Sequence, residues 1–388
     1  MKAMILAAGV GSRLEPLTCN IPKPMVPVAN RPVMEHILRL LAKNGIKEIA
    51  ANLWYRPEKI ESYFGDGAAW GVNLRYSREE ELLGTAGGVR RLADFFDRTF
   101  VVISGDALTD IDLGELVRFH RERGALATIA LRPVPDPRQF GVVILEEDGR
   151  IKAFQEKPAP AAALSNLANT GIYVFEPEIF EHIPEGRVCD FGKQVFPRLV
   201  ELGLPFYGYV TDDYWCDIGT LAQYRLAHYD VLRGRVKISI PGMWNPGAVY
   251  VGEGAYIAPT AAIGYKVIIG ENCHIGDGVE IFGEAVIGDN CVVESGAAIF
   301  GSIIWNNTRI ARGVRLVECV VGSECYLKEG SVIGAGVILS DECVVERNEI
   351  IEANVKVWPG NVVASGATGM NPDSESKLTP GFHSGRAR

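Results

Sequence analysis

The chain has 388 residues, 47% of them hydrophobic and 22% charged, which supports a sizeable buried core and leaves room for two domains. Its net charge of −9 excludes the basic footprint of a general nucleic-acid binder, although a few local cations can still gather a nucleotide. Eight cysteines form no Cys-x-x-Cys pair and no zinc spacing, no apolar stretch approaches a membrane span, and the apolar run after Lys2 is too short for a signal peptide. The expectations are a cytoplasmic protein with no nucleic-acid or membrane partner.

From Met1 to about Ile240, strand-like runs alternate with helical patterns. Expected strands are Ala3-Leu6, Glu48-Leu53, Asn73-Tyr76, Phe100-Ser104, Ala127-Leu131, Val142-Leu145, Gly171-Phe175 and Phe206-Val210. Expected helices are Arg31-Asn44, Pro57-Phe64, Thr85-Asp94, Leu113-Gly124 and Phe191-Glu201. This alternation predicts a Rossmann-like, mostly parallel α/β sheet whose ligands lie beyond the carboxyl ends of its strands.

The first strand breaks into Ala7-Ala8-Gly9-Val10-Gly11-Ser12-Arg13-Leu14, followed by Pro16-Leu17-Thr18 and Pro22-Lys23-Pro24. Small residues let backbone N–H groups approach an anion, and Arg13 and Lys23 add positive charge. Neither better-known glycine motif fits: Leu14 stands where a dinucleotide fingerprint needs a third glycine, and the Gly-Lys-Ser/Thr of a P-loop is absent. Next, Leu82-Leu83-Gly84-Thr85-Ala86-Gly87-Gly88 opens a helix, with Thr85 a candidate N-cap. Val101-Val102-Ile103-Ser104-Gly105-Asp106 is an apolar strand ending in a carboxylate that can reach a metal bridging phosphates. Phe140-Gly141, Glu156-Lys157-Pro158, Asn169-Thr170-Gly171 and Trp215-Cys216-Asp217-Ile218-Gly219-Thr220 follow. Taken singly, Asp106 and Asp217 also fit turn or helix caps, Glu156-Lys157 a solvated pair and Asn-Thr-Gly a plain turn. Their joint order favours a site.

After a linker rich in turn residues, Ile240-Pro241-Gly242-Met243-Trp244-Asn245-Pro246-Gly247, the period changes. Apolar residues recur every sixth position from Val251 to Ile299, slip near Ile304, Ile310 and Leu316, and resume from Val321 to Val363. A hexapeptide repeat predicts a parallel β-helix with three repeats per coil and the apolar positions stacked inside. Cys273 with Cys291, and Cys325 with Cys343, are spaced by one coil. The polar stretch from Ala367 to Arg388 loses the repeat and is expected to be a flexible tail. The expected domains are therefore 1–240, 247–366 and the tail 367–388.

The string Leu-Ala-Ala-Gly-x-Gly-x-Arg-Leu-x-Pro-Leu-Thr, with Lys-Pro a few residues on, resembles the signature of the sugar-1-phosphate nucleotidyltransferases. In pattern it is nearest to the bacterial mannose-1-phosphate guanylyltransferase type with a C-terminal left-handed β-helix. The resemblance implies transfer of a nucleotidyl group from an NTP to a sugar 1-phosphate, with release of pyrophosphate and with Mg2+ as cofactor. It assigns catalysis to Arg13, Lys23, Asp106 and Asp217, the two aspartates holding the metal. It assigns the nucleotide to Leu6, Ala8, Gly9, Gly11, Gly84 and Thr85. By residue type Glu81, just before that loop, suits the two donors of a guanine edge, while the run Glu79-Glu80-Glu81 equally fits a solvated charged loop. The sugar phosphate falls to Gly141, Glu156, Lys157 and Asn169. GTP with mannose 1-phosphate is the first choice, and uridylyl, thymidylyl or adenylyl transfer the alternatives.

Hexapeptide β-helices also occur in acyltransferases that use a histidine base, but His274 is the one histidine in this repeat and has no catalytic neighbour in sequence. Self-association through the β-helix into a homo-oligomer is the expected role. A reading of another class, a non-catalytic regulator that binds sugar nucleotides, is disfavoured because all four catalytic positions are present.

Overall fold

The structure, a computed structural model, describes residues 1–159, 163–240, 242–245 and 249–364. The expected tail, and Pro241, Pro246 and Gly247 of the linker, lie outside the described residues. In chain order the strands of the first part are β1 (Lys2–Leu6), β2 (Pro27–Val28), β3 (Arg31–Pro32), β4 (Glu48–Leu53), β5 (Asn73–Arg78), β6 (Phe100–Ser104) and β7 (Ala107–Thr109). They continue with β8 (Ala127–Pro133), β9 (Val142–Leu145), β10 (Ile151–Gln155), β11 (Leu167–Phe175), β12 (Phe206–Val210) and β13 (Trp215–Asp217). The helices are α1 (Val33–Lys43), α2 (Pro57–Phe64), α3 (Gly84–Arg90), α4 (Leu113–Glu122), α5 (Phe196–Glu201) and α6 (Leu221–Leu232).

Nine strands form one sheet along the path β10-β9-β11-β6-β1-β4-β5, with β8 pairing β11 and β12 pairing β8. The β6-β1-β4-β5 run and the β8-β12 pair are parallel, and β11 is inserted antiparallel between β6 and β8. β1 lies between β6 and β4, so its Ala3, Met4 and Ile5 are fully buried, as a continuous apolar run requires.

Two expected helices are shorter than their pattern. The segment expected over Thr85-Asp94 is helical only to Arg90, with a separate turn at Ala93–Phe95. Phe191–Val195 is a π turn that becomes α5 only at Phe196, where Pro197 sits in the first turn and its missing N–H costs nothing.

From Val249 the chain winds through three parallel sheets of short strands, with the architecture of a left-handed β-helix. Each sixth residue points inward, giving a second core from Val267 to Val363. The slip in the repeat has a structural cause. Ile269 pairs with Ile287 one full coil on, whereas Ile287 pairs with Ile304 and Ile304 with Val321, each coil one residue shorter. The shortened corners at Gly301 and Glu318 face α6: Tyr229 Oη donates to Gly301 O (3.1 Å), and Arg225 reaches Glu318 (3.4 Å).

One sheet of the β-helix is buried on both sides. Ile269, Ile287, Ile304, Val321 and Leu339 point into the coil, and their strand neighbours Ile268, Val286, Ile303, Val320 and Ile338 point outward into the core around Leu14, Leu17, Val26 and α1. Five such side chains contribute a gross stabilisation of about 10 kcal/mol, so the β-helix and the first part pack as one body.

Candidate active site

Register alone assembles the centre of the site. Leu6 at the end of β1 lies beside Ser104 at the end of β6, so the Gly9 turn and Asp106 emerge together. Gly105 N donates to Leu6 O (2.8 Å), and a Cβ at Gly105 would stand 2.6 Å from that oxygen, which is why glycine precedes the aspartate. The antiparallel β13-β7 pair sets Asp217 opposite Ala107, bringing the second carboxylate to the first across more than a hundred residues.

Lys23 lies between them. Its ammonium is hydrogen-bonded to Asp106 and stands 3.5 Å from Asp217 Oδ1. Its stem runs under Gly11, whose φ of 75° suits glycine and where a Cβ would stand 2.7 Å from Lys23 Cβ. Arg13 completes the group: a Cβ at Gly219 would be 3.0 Å from Arg13 Nη2 and 2.9 Å from Asp217 Oδ2. All four residues expected to be catalytic are thus in one place. Gly9, by contrast, is exposed, with nothing among the described residues within 4 Å of where its Cβ would project.

The charges are unequal by design of their surroundings. Burial pushes the Asp106 carboxyl up, but Lys23 and the Ser104 hydroxyl (2.6 Å) outweigh it and hold it below the ordinary carboxylate range. Burial and the charge of Asp106 together raise Asp217, against the pull of Lys23 and Arg13. Burial also works against the Lys23 ammonium, and the two aspartates more than compensate. Two carboxylates converging on one cation fit a hard divalent ion, which takes one or two carboxylates and completes its shell with water and substrate phosphates. Among the described residues no cluster of three or more His, Cys, Asp or Glu forms a closed metal cage.

The neighbouring loop is tied to β1 by a buried relay. Ala7 N donates to Asn52 Oδ1 (3.0 Å), Asn52 Nδ2 donates to Glu79 Oε1 (2.8 Å), and Leu83 N donates to Glu79 Oε2 (2.9 Å). Gly88 must be glycine here, since a Cβ would stand 2.6 Å from Glu79 and 2.7 Å from Asn52. Glu81 is exposed, and the buried carboxylate of the Glu79-Glu80-Glu81 run is Glu79, a residue that sequence reasoning passed over. Gly84 has a φ of 75° and lies against Cys189 O. Thr85 is not the N-cap, because α3 begins at Gly84; its hydroxyl instead donates to Asp190 (2.9 Å) and accepts from Phe191 N (2.9 Å). The cap of α6 is Thr220, which leaves Asp217 free of that duty.

A second group lies along β9, β10 and β11. Asn169 N donates to Gly141 O (2.8 Å) and Lys157 N to Phe140 O (3.2 Å), so the Gly141 loop gathers both segments. A Cβ at Gly141 would meet Phe154 at 2.6 Å and Glu156 at 3.0 Å. Glu156 is half-buried; burial raises its carboxyl, and Asp190 adds to the rise against Lys157 and Lys193. Asn169 accepts from Gly171 N and donates to the buried Tyr173 hydroxyl (3.1 Å), which fixes its amide. The Lys157 side chain is exposed, its Nζ 3.9 Å from Glu156.

Comparison with known proteins gives this arrangement its family. Residues 2–234, more than half of the chain, match the family described as Nucleotidyl transferase. The chain belongs to that family. Residues 246–351 of this nucleotidyltransferase match a second family, the EIF2B subunit epsilon LbH domain. It is 47% identical over 267 residues to a UTP–glucose-1-phosphate uridylyltransferase of Synechocystis, covering 65% of this chain and 69% of the relative. It is 38% identical over 263 residues to a mannose-1-phosphate guanylyltransferase of Mycobacterium tuberculosis, covering 67% and 72%. Among solved structures, HddC from Yersinia pseudotuberculosis complexed with GMP-PN matches with a TM-score of 0.51 at 25% identity, covering 58% of this chain and 97% of that one. The nucleotidyltransferase is thus a sugar-1-phosphate nucleotidyltransferase, as its named relatives are.

Proposed function

We propose that this enzyme transfers GMP from GTP to mannose 1-phosphate, giving GDP-mannose and pyrophosphate, with Mg2+ held by Asp106 and Asp217. The observation that carries the transfer chemistry is the convergence of Arg13, Lys23, Asp106 and Asp217 at the ends of β1, β6 and β13. In-line attack of a sugar-phosphate oxygen on the α-phosphorus needs positioning and charge neutralisation rather than a covalent intermediate on the protein. In this reading the backbone from Leu6 through Ala8, Gly9 and Gly11 cradles the triphosphate, while Arg13 and Lys23 neutralise the departing pyrophosphate. When bound, Mg2+ supplies Lewis-acid stabilisation of the phosphate oxygens.

Lys157 binds the phosphate of the sugar substrate, Glu156 accepts from paired sugar hydroxyls, and Asn169 and the Gly141 backbone line the ring. Gly84 and Thr85 shape the base loop. The choice of guanine rests on the exposed carboxylate of Glu81 beside that loop: a guanine edge offers an N1–H and an amino group, two donors that suit a carboxylate. The second reading, UTP with glucose 1-phosphate, is favoured by the 47% identity to the Synechocystis enzyme. Residues 1–240 carry the chemistry in either case, and 247–366 form the β-helix domain, a surface for self-association. No helix among the described residues is long and apolar enough to cross a membrane, and the eight free thiols suit a reducing cytoplasm.

Purified enzyme with Mg2+ and each of GTP, UTP, dTTP and ATP, against mannose 1-phosphate and glucose 1-phosphate, tests the reading by pyrophosphate release and product formation. Preference for GTP and mannose 1-phosphate is expected. Preference for UTP and glucose 1-phosphate replaces the substrate assignment, and no turnover with any pair overturns the transfer assignment itself.

A further inference from the structure

Lys23 sits in a stretch with little regular structure of its own. Between Leu14 and α1 there is one short turn at Lys23–Met25 and the two-residue hairpin β2-β3, so many backbone carbonyls of this stretch lie outside regular structure. Turn N–H groups reach those of Leu14, Pro16, Pro22 and Lys23, and side chains reach those of Glu15, Pro16, Cys19 and Pro27, the ones on Glu15 and Pro16 coming from the β-helix. The Ser340 hydroxyl, fully buried, donates to Pro16 O (2.7 Å), and Lys356 Nζ donates to Glu15 O (3.2 Å). On the other side of Lys23, Pro27 O accepts from the Tyr224 hydroxyl (2.9 Å), which itself accepts from Trp305 Nε1 of the β-helix (2.8 Å). Asn30 Nδ2 closes the row on Ile287 O (2.7 Å). The stretch is therefore fastened to the β-helix both before and after Lys23, and the apolar face of Ile303, Val320 and Ile338 fills the space beneath it.

We propose that the β-helix is a working part of the transfer site, with Ser340 and Trp305 as positioning residues that set Lys23 and Arg13 against Asp106 and Asp217. The inference rests on the transfer role of Lys23 given above. A displacement of about 1 Å at such a group costs on the order of a hundredfold in rate, so fastening of this stretch is felt in turnover more than in substrate binding.

The test uses full-length Ser340→Ala and Trp305→Phe. Ser331→Ala is the control, since Ser331 is an equally buried β-helix serine whose hydroxyl has no hydrogen-bond partner among the described residues. Two readouts are taken: kcat and KM by pyrophosphate release, and amide hydrogen exchange of residues 12–30. The amides of Leu17, Cys19, Met25 and Val26 are each bonded to a carbonyl inside that segment and report its order. Expected for both variants is exchange about tenfold faster there, the factor for one lost buried hydrogen bond. With it comes a kcat loss of about tenfold or more at little-changed KM, and neither effect in Ser331→Ala. Faster exchange with unchanged kcat overturns the proposal, as does a kcat loss without segment-specific exchange. An inactive wild type removes the transfer assignment, while the exchange comparison still decides whether the β-helix holds the segment; unchanged exchange overturns the proposal on its own.

Discussion

Two glycines of the first turn, two residues apart, should separate ligand binding from folding when each is changed to alanine. At Gly9 a Cβ meets nothing within 4 Å and the backbone is one that alanine adopts, so Gly9→Ala should fold normally, gaining at most about 0.4–1 kcal/mol through the unfolded chain. If the triphosphate lies against this turn, the added methyl occupies the ligand's own space, and kcat/KM for the NTP should fall at least about tenfold, equivalent to ~1.4 kcal/mol. At Gly11 the φ of 75° costs an alanine about 1–2 kcal/mol, and a Cβ 2.7 Å from Lys23 Cβ forces a displacement costing about 1–3 more. At about 2–4 °C per kcal/mol, the melting temperature should drop by roughly 4–20 °C, with turnover lost because the residue displaced is Lys23. Thermal unfolding and steady-state kinetics on both variants decide it. Wild-type nucleotide kinetics in well-folded Gly9→Ala would refute the placement of the phosphates, and a wild-type melting temperature in Gly11→Ala would refute the packing of Lys23 beneath the turn.

Three further outcomes are expected. Asp106→Asn should reduce turnover by about a hundred- to a thousandfold with a native circular dichroism spectrum, the magnitude seen when one preorganised electrostatic partner is removed; near-normal pyrophosphate release would sink its metal assignment. Gly141→Ala pushes on Phe154 and Glu156, so KM for the sugar phosphate should rise several-fold more than KM for the NTP, and equal changes in both would count against a sugar site there. His36, buried and bonded to Val28 O (2.9 Å), has its imidazole pushed down by burial from 6.5 to about 4. The unfolded chain therefore binds the proton first, and stability present above pH 6.5 is lost as pH falls toward 4, by about 3 kcal/mol from this group. His36→Gln should flatten that part of the denaturation profile, and an unchanged profile would show that His36 does not titrate on unfolding.

Local patterns settled much of this protein without any tertiary information. The hexapeptide period is visible in the chain because every sixth side chain enters the same narrow core, and the buried strands β1, β4 and β6 announce themselves as apolar runs for the same reason. Gly11 was legible as a position that needs a small residue, and the structure adds Gly105, where a Cβ would stand 2.6 Å from Leu6 O. What the chain order hides is set by contacts between distant segments. β7 and β13 are three residues each, too short to show a period, yet their pairing is what delivers Asp217 to Asp106. The Asn52-Glu79-Leu83 relay joins residues whose meeting depends on the β4-β5 register, so Glu79 looked like one more solvated charge. Thr85 carries the residue type of a cap, but the loop before Phe191 offered its hydroxyl a better partner. Sequence periodicity also marked where the repeat slips and could not say why; two coils are one residue shorter there, at corners that contact α6. Residue type and spacing thus determined which groups are available for chemistry, because those follow from local sterics and burial. Only the tertiary structure decided which of them meet and what holds Lys23 in place, because that depends on strand register and on the packing of the β-helix against the first turn.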